Sequence, residues 1–175
     1  MQSEPRDCKS AGPPLVFSVS AFNWKSITTL AVFAAVVALL VSSQNDRGFS
    51  IYALSISGVV FFAMLVQMHV SKVSVYADHL RAGGGLYKIK IPLTQIDPGR
   101  ASILTGAEGS RPGWRFNGIG IPGYCQGWFS GPRSKKVFAA LTSRKNIVYV
   151  PTSAGFDLML TPDDPESFLR ALGKG

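Results

Sequence analysis

Apolar and polar positions along this chain follow two regimes. Ser26 to Ser43 reads SITTLAVFAAVVALLVSS and Ile51 to Val70 reads IYALSISGVVFFAMLVQMHV, with no charged side chain in either run. At 1.5 Å of rise per residue these predict helices about 27 and about 30 Å long, the thickness of a hydrocarbon core of about 30 Å. The polar stretch QNDRGFS, Gln44 to Ser50, separates them. The pair reads as a transmembrane helical hairpin over residues 24–70, with spans at about 26–43 and 51–70. Residues 1–23 hold Pro5, Gly12, Pro13 and Pro14 with scattered charges, and are expected to form a flexible tail.

After Lys72 the period shortens to two. KVSVYA alternates, and YKIKIPL places Tyr87, Ile89 and Ile91 on one face and Lys88 and Lys90 on the other, the mark of a half-buried strand. Gly83-Gly84-Gly85 between these runs predicts a turn. Further strands are expected near Arg100 to Leu104, Trp114 to Ile119, Lys135 to Leu141, Ile147 to Pro151 and Phe156 to Leu160, about seven in all. The stretch from Gly118 to Gly131 is dense in glycine and aromatic residues. Thr161-Pro162-Asp163-Asp164-Pro165-Glu166 opens a helix, with caps, early prolines and acids at the positive end of its dipole. Phe168, Leu169 and Leu172 form its apolar stripe, and Gly173 closes it. A helix so short must pack on the sheet to persist.

Charge and flanking residues orient the hairpin. Trp24 and Lys25 mark an interface at the first span. The loop between spans balances Arg47 with Asp46, whereas Lys25 precedes the first span and Lys72, Arg81, Lys88 and Lys90 follow the second, so both termini are expected in the cytoplasm. A signal peptide cleaved near Ser42 is the weaker alternative, since a second full span follows at once. Ala31, Ala35, Ala34 and Ala38 in the first span, and Ala53, Ser57 and Gly58 in the second, suit close helix packing.

Candidate chemistry is sparse. Cys8 and Cys125 are too few for a disulfide framework, and no metal-ligand spacing is present. His69 stands at the membrane exit without an acidic partner in either span. Cys125 as a nucleophile would need a base from elsewhere. Gly118, Gly120 and Gly123 fit a G-x-G-x-x-G spacing, but no helical pattern follows, which excludes the dinucleotide reading. Neither catalytic nor cofactor-binding nor metal-binding residues are assigned. What carries content is charge: of a net +8, residues 71–175 hold 14 Lys and Arg against 7 Asp and Glu. Lys88, Lys90, Arg111, Arg115, Arg133, Lys135, Lys136, Arg144 and Lys145 are the candidate surface for anionic lipid headgroups or a protein partner. Nucleic acid is not expected, because Trp114, Phe116, Tyr124, Trp128 and Phe129 read as core and cover of a small barrel rather than a stacking platform.

RFNGIGIPGYCQGWF, the strand VYVPT and the helix opening TPDDPESF resemble the bacterial pleckstrin-homology-like domains often found behind two transmembrane helices. The match is clearest over Gly113 to Leu172, with Val73 to Leu104 fitting as the first strands. The resemblance implies a seven-stranded bent barrel over residues 71–175, capped by the C-terminal helix. It also implies a non-enzymatic binding or scaffolding module, displayed at the cytoplasmic face of a bacterial inner membrane. It brings no catalytic residues, and the dense basic signature of phosphoinositide binding is missing between the first strands. An accessory or regulatory subunit of a membrane enzyme or transporter, with the hairpin making the functional contact, is the alternative.

Overall fold

Both uncharged runs are helical in the computed structural model, which describes residues 15–18, 24–43, 47–104, 112–131, 135–143 and 145–173. Helix α1 spans Trp24–Ser42 and α2 spans Arg47–His69. They lie antiparallel: the Ser50 hydroxyl donates to the Val41 carbonyl at 3.3 Å near one end, and Leu30 packs with Met68 near the other. Among the described residues only Ser50–His69, 20 residues of mean hydropathy 2.0, is long and apolar enough to cross a membrane; Ile27–Ser42 is apolar but shorter. Gly58 has open space around its Cα rather than a packed neighbour, so it is not part of the α1–α2 contact expected of it.

The remainder is mainly β. In the first sheet β1 (Leu15–Ser18), β2 (Lys72–Val75), β3 (His79–Gly84) and β4 (Tyr87–Pro92) follow one another antiparallel. The second sheet holds β5 (Ser102–Leu104), β6 (Arg115–Ile121), β7 (Tyr124–Ser130), β8 (Lys136–Leu141), β9 (Ile147–Val150) and β10 (Asp157–Leu160), ordered β5-β9-β10-β8-β7-β6. Strand β10 returns between β9 and β8 and runs parallel to β8.

Among the described residues ten strands form two sheets, nine of them after the helical pair, where about seven were expected. Leu15–Ser18 lies in the expected tail but pairs with β2, because Phe17 finds an edge-on aromatic contact with Phe168 at 5.4 Å. Gly83 and Gly84 belong to β3 rather than to a turn: a Cβ on Gly84 would collide with the Val70 carbonyl, so the strand can lie there only without a side chain. The glycine-dense stretch is the β6–β7 hairpin, turning at Pro122-Gly123, with Gly118 opposite Gly127 where the backbones approach closely.

Alternation does the rest. Val73, Val75, Leu80, Ala82 and Ile91 of the first sheet share one buried cluster with Phe138, Ala140, Val148, Leu158 and Leu160 of the second. Each of the Val, Leu, Ile and Phe side chains among them contributes about 1.5–3 kcal/mol by leaving water. Helix α3 (Pro165–Ala171) lays Phe168 into this cluster.

Asp164 caps α3, accepting from the Ser167 amide at 3.0 Å. Hydrogen bonding from Ser167 holds its carboxyl below the ordinary value of 3.8. A lowered folded value means that this stabilisation is complete above 3.8 and is lost as pH falls through the lowered value. Thermal melts across acidic pH are expected to show that dependence in the native chain and to lose it in Asp164→Asn, which keeps a capping oxygen but not the charge. An identical pH profile in both would count against the capping charge.

Candidate functional site

The last turn of α2 is built into the β domain. Gln67, 4% exposed, donates from Nε2 to the Gly84 carbonyl at 2.6 Å and to Gln126 Oε1 at 3.0 Å, while its Oε1 accepts from the Leu86 amide at 2.9 Å. Gln126, on β7 and fully buried, donates to the Tyr87 carbonyl at 2.7 Å and accepts from the Tyr124 hydroxyl. Burial pushes that phenol up to about 12, so it remains a donor at any working pH. Tyr124 also forms an apolar cluster with Leu30 and Met68, on which Phe61, Leu65, Ile119 and Ile121 pack. Two hairpin turns thus grip the end of α2, and only Val70 and Ser71 separate it from β2. This is a rigid joint, not a linker.

Sequence gave one clue to it. Gln67 is a strong hydrogen-bonding amide inside an apolar run, where such a group needs partners. Its partners, 17 and 59 residues away, could not be read without the fold.

Cations gather on the outer face of the first sheet. The register sets Lys72, Gly83 and Lys88 in one cross-strand row, and Ser74, Arg81 and Lys90 in the next. Lys72, Arg81, Lys88 and Lys90 are exposed. Arg81 and Lys90 stand directly opposite each other, a like-charge pair that costs a sheet about 0.2–1 kcal/mol. No ion pair among the described residues offsets it; the adjacent His79 holds the Asp78 carboxyl below the usual range, and Lys90 adds a smaller attraction to the same carboxylate.

The structure separates the remaining candidates. Lys135 pairs at 3.5 Å with the buried carboxylate of Asp157, which also accepts from Tyr149 and from the Thr152 amide. Lys136 lies 4.8 Å above the Trp128 ring. Both serve the fold, and both sit with Arg115 at the end of β7 away from α2, since Arg115 pairs with Phe129 and Lys136 with Ser130. Lys145 sits in the β8–β9 turn at the opposite end, where Leu141 pairs with Cys125. Lys88 and Lys90 are thus joined by Lys72 and Arg81, not by Arg115 or Lys135. Arg111, Arg133 and Arg144 lie outside the described residues.

A cavity of about 560 Å³ opens beside the β6–β7 turn, with Trp114, Arg115, Ile121, Cys125, Phe129 and Leu141 in its wall. Its described lining contains neither histidine nor carboxylate. Among the described residues no three His, Cys, Asp or Glu side chains converge as a metal site.

Comparison with curated proteins and with solved structures returned no match. A family model described as Bacterial PH domain matches residues 71–174, a stretch that begins just after the Gln67 joint and takes in β2 through α3. Such domains are generally non-enzymatic binding modules. On that match, covering more than half of its length, the chain belongs to the bacterial PH domain family.

Proposed function

We propose that this chain is a membrane-anchored, non-enzymatic binding module. Its α1–α2 pair crosses the bacterial inner membrane, and its PH domain stands at the cytoplasmic face to dock an anionic group, carried by a protein partner or by lipid headgroups. The observation that carries this reading is the row Arg81–Lys90, in which neither cation makes an ion pair among the described residues, flanked by Lys72 and Lys88 on an exposed sheet face. A like-charge pair directly across a sheet is relieved when an anion arrives. The anchoring half is supported by the apolar length of α2 and by the pairing of β1, before α1, with β2, after α2. That pairing is what a chain returning to the side from which it entered would make, and the cations flanking the hairpin favour the cytoplasm for that side.

The test uses the full chain in its own membrane. Resistance to alkaline extraction is expected of an integral protein, and release by alkali would remove the anchor. Benzoylphenylalanine in place of Pro92, exposed and two residues past Lys90 on the same strand, is expected to give a discrete photocrosslinked adduct. Charge reversal by Arg81→Glu with Lys90→Glu should reduce that adduct at least about tenfold, the effect of turning attraction into repulsion at two sites. An adduct unchanged by this reversal, with Lys145→Glu as a matched surface control, would end the cationic-face reading.

A further inference from the structure

Leu86, at the β3–β4 turn, is 85% exposed, more than any other large apolar side chain among the described residues. Its height along the molecule is not free to vary. The Leu86 amide is held at 2.9 Å by the side chain of Gln67, which lies within the apolar run Ser50–His69. A turn tied to the last turn of a membrane-crossing helix sits at the depth of that turn, in the interfacial layer rather than in bulk water. Behind the tip, Lys72 and Lys88 stand in one row through Gly83, both exposed. Lys88 is two residues from Leu86, about 7 Å of strand, which places its ammonium at headgroup height when the leucine points inward.

From this geometry we infer that the β3–β4 turn is a second membrane contact of the chain: Leu86 inserts among lipid acyl chains, while Lys72 and Lys88 bind the phosphates of anionic lipid. The occupant is the chain's own bilayer. An aqueous protein partner would have to reach a side chain at the level of Gln67, whereas lipid is already there. The buried Gln67–Gln126 joint keeps the turn from swinging away. With helix and turn both held, the tilt of the PH domain on the membrane is set, and Arg81 and Lys90, further along their strands, are left facing the cytoplasm for a partner.

This rests on the reading that α2 spans the bilayer, and one experiment separates the two. Benzoylphenylalanine is placed singly at Leu86, at Phe62 in α2 and at Ser153 in the β9–β10 turn. Each full-length protein is reconstituted in nanodiscs of mixed phosphatidylcholine and phosphatidylglycerol, irradiated and read by mass spectrometry. Lipid adducts are expected at positions 62 and 86 and not at 153, with phosphatidylglycerol enriched at 86 over its share of the disc. Lys72→Gln with Lys88→Gln should abolish that enrichment, returning phosphatidylglycerol at 86 to its share of the disc, and leave the adduct at 62 unchanged. Adducts at 62 without adducts at 86 would overturn the inference and spare the anchor. No adduct at 62 would overturn the anchor itself, and equal labelling at 153 would show that the domain lies on the bilayer in some other way.

Discussion

Replacing Gln126 with leucine is expected to destabilise the chain by about 3–5 kcal/mol, although the two side chains are similar in size. Gln126 is fully buried, and each end of its amide has work. Leucine would strip the Tyr87 carbonyl of a 2.7 Å donor, leave the Tyr124 hydroxyl only its longer bond of 3.4 Å to the Gln67 carbonyl, and take one of the two acceptors from Gln67 Nε2. A buried polar group left unpaired costs about 1–3 kcal/mol, and water cannot enter a site closed by Tyr124, Met68 and Leu30 to repair it. In a chain of this size each kcal/mol moves the midpoint about 2–4 °C, so melts in nanodiscs should fall by roughly 10 °C. The double variant Gln67→Leu with Gln126→Leu removes both sides of the pair together. It should cost distinctly less than the sum of the singles, because fewer groups are orphaned per substitution. Additive losses would show that the two glutamines act independently and that the joint is not one network.

The joint also shows where sequence reasoning stops. The strands that alternate cleanly, YKIKIP and KVFAAL among them, were legible because one residue in two must leave water. The opening of α3 was legible because capping chemistry is local. Strand β3 was hidden by its glycines, which normally signal a turn; here the Val70 backbone lies against Gly84, and the Tyr87 carbonyl and Gln126 lie against Gly83. Strand β7 was hidden in the same way, Gly127 facing Gly118 across the hairpin. Strand β1 was invisible for another reason: four residues have no stability of their own, and LVFS is a strand only because β2 and Phe168 stand beside it.

For the candidate site the limit was register. Lys88 and Lys90 could be placed on one face of a strand from the pattern alone. Their neighbours Lys72 and Arg81 follow only from which residues pair, which is set by contacts across the sheet. Lys135 and Lys136 are set apart instead by their contacts, with Asp157 and with the Trp128 ring. A count of cations along the sequence cannot separate those that hold the fold from those left for a ligand.

Phe168→Ala should have a comparably large effect, by a different route. Helix α3 is seven residues long, too short to stand without the sheets, and Phe168 is its fully buried side chain. Truncating a core phenylalanine costs about 3–5 kcal/mol through lost transfer energy and the cavity left behind. Here the loss should also travel. Phe17 meets the Phe168 ring edge-on at 5.4 Å, so the same side chain holds α3 on the core and β1 on the edge of the first sheet. Strand β1 is the segment that leads into α1, and its pairing with β2 closes the two ends of the helical pair together. Hydrogen exchange should therefore rise at Leu15–Ser18 in Phe168→Ala, as well as along α3, while the β6–β7 hairpin stays protected. Phe17→Ala, which leaves α3 in place, should release β1 alone and cost less. If β1 remains protected once Phe168 is gone, the backbone ladder to β2 is sufficient by itself, and the aromatic contact is a consequence of the strand's position rather than its cause.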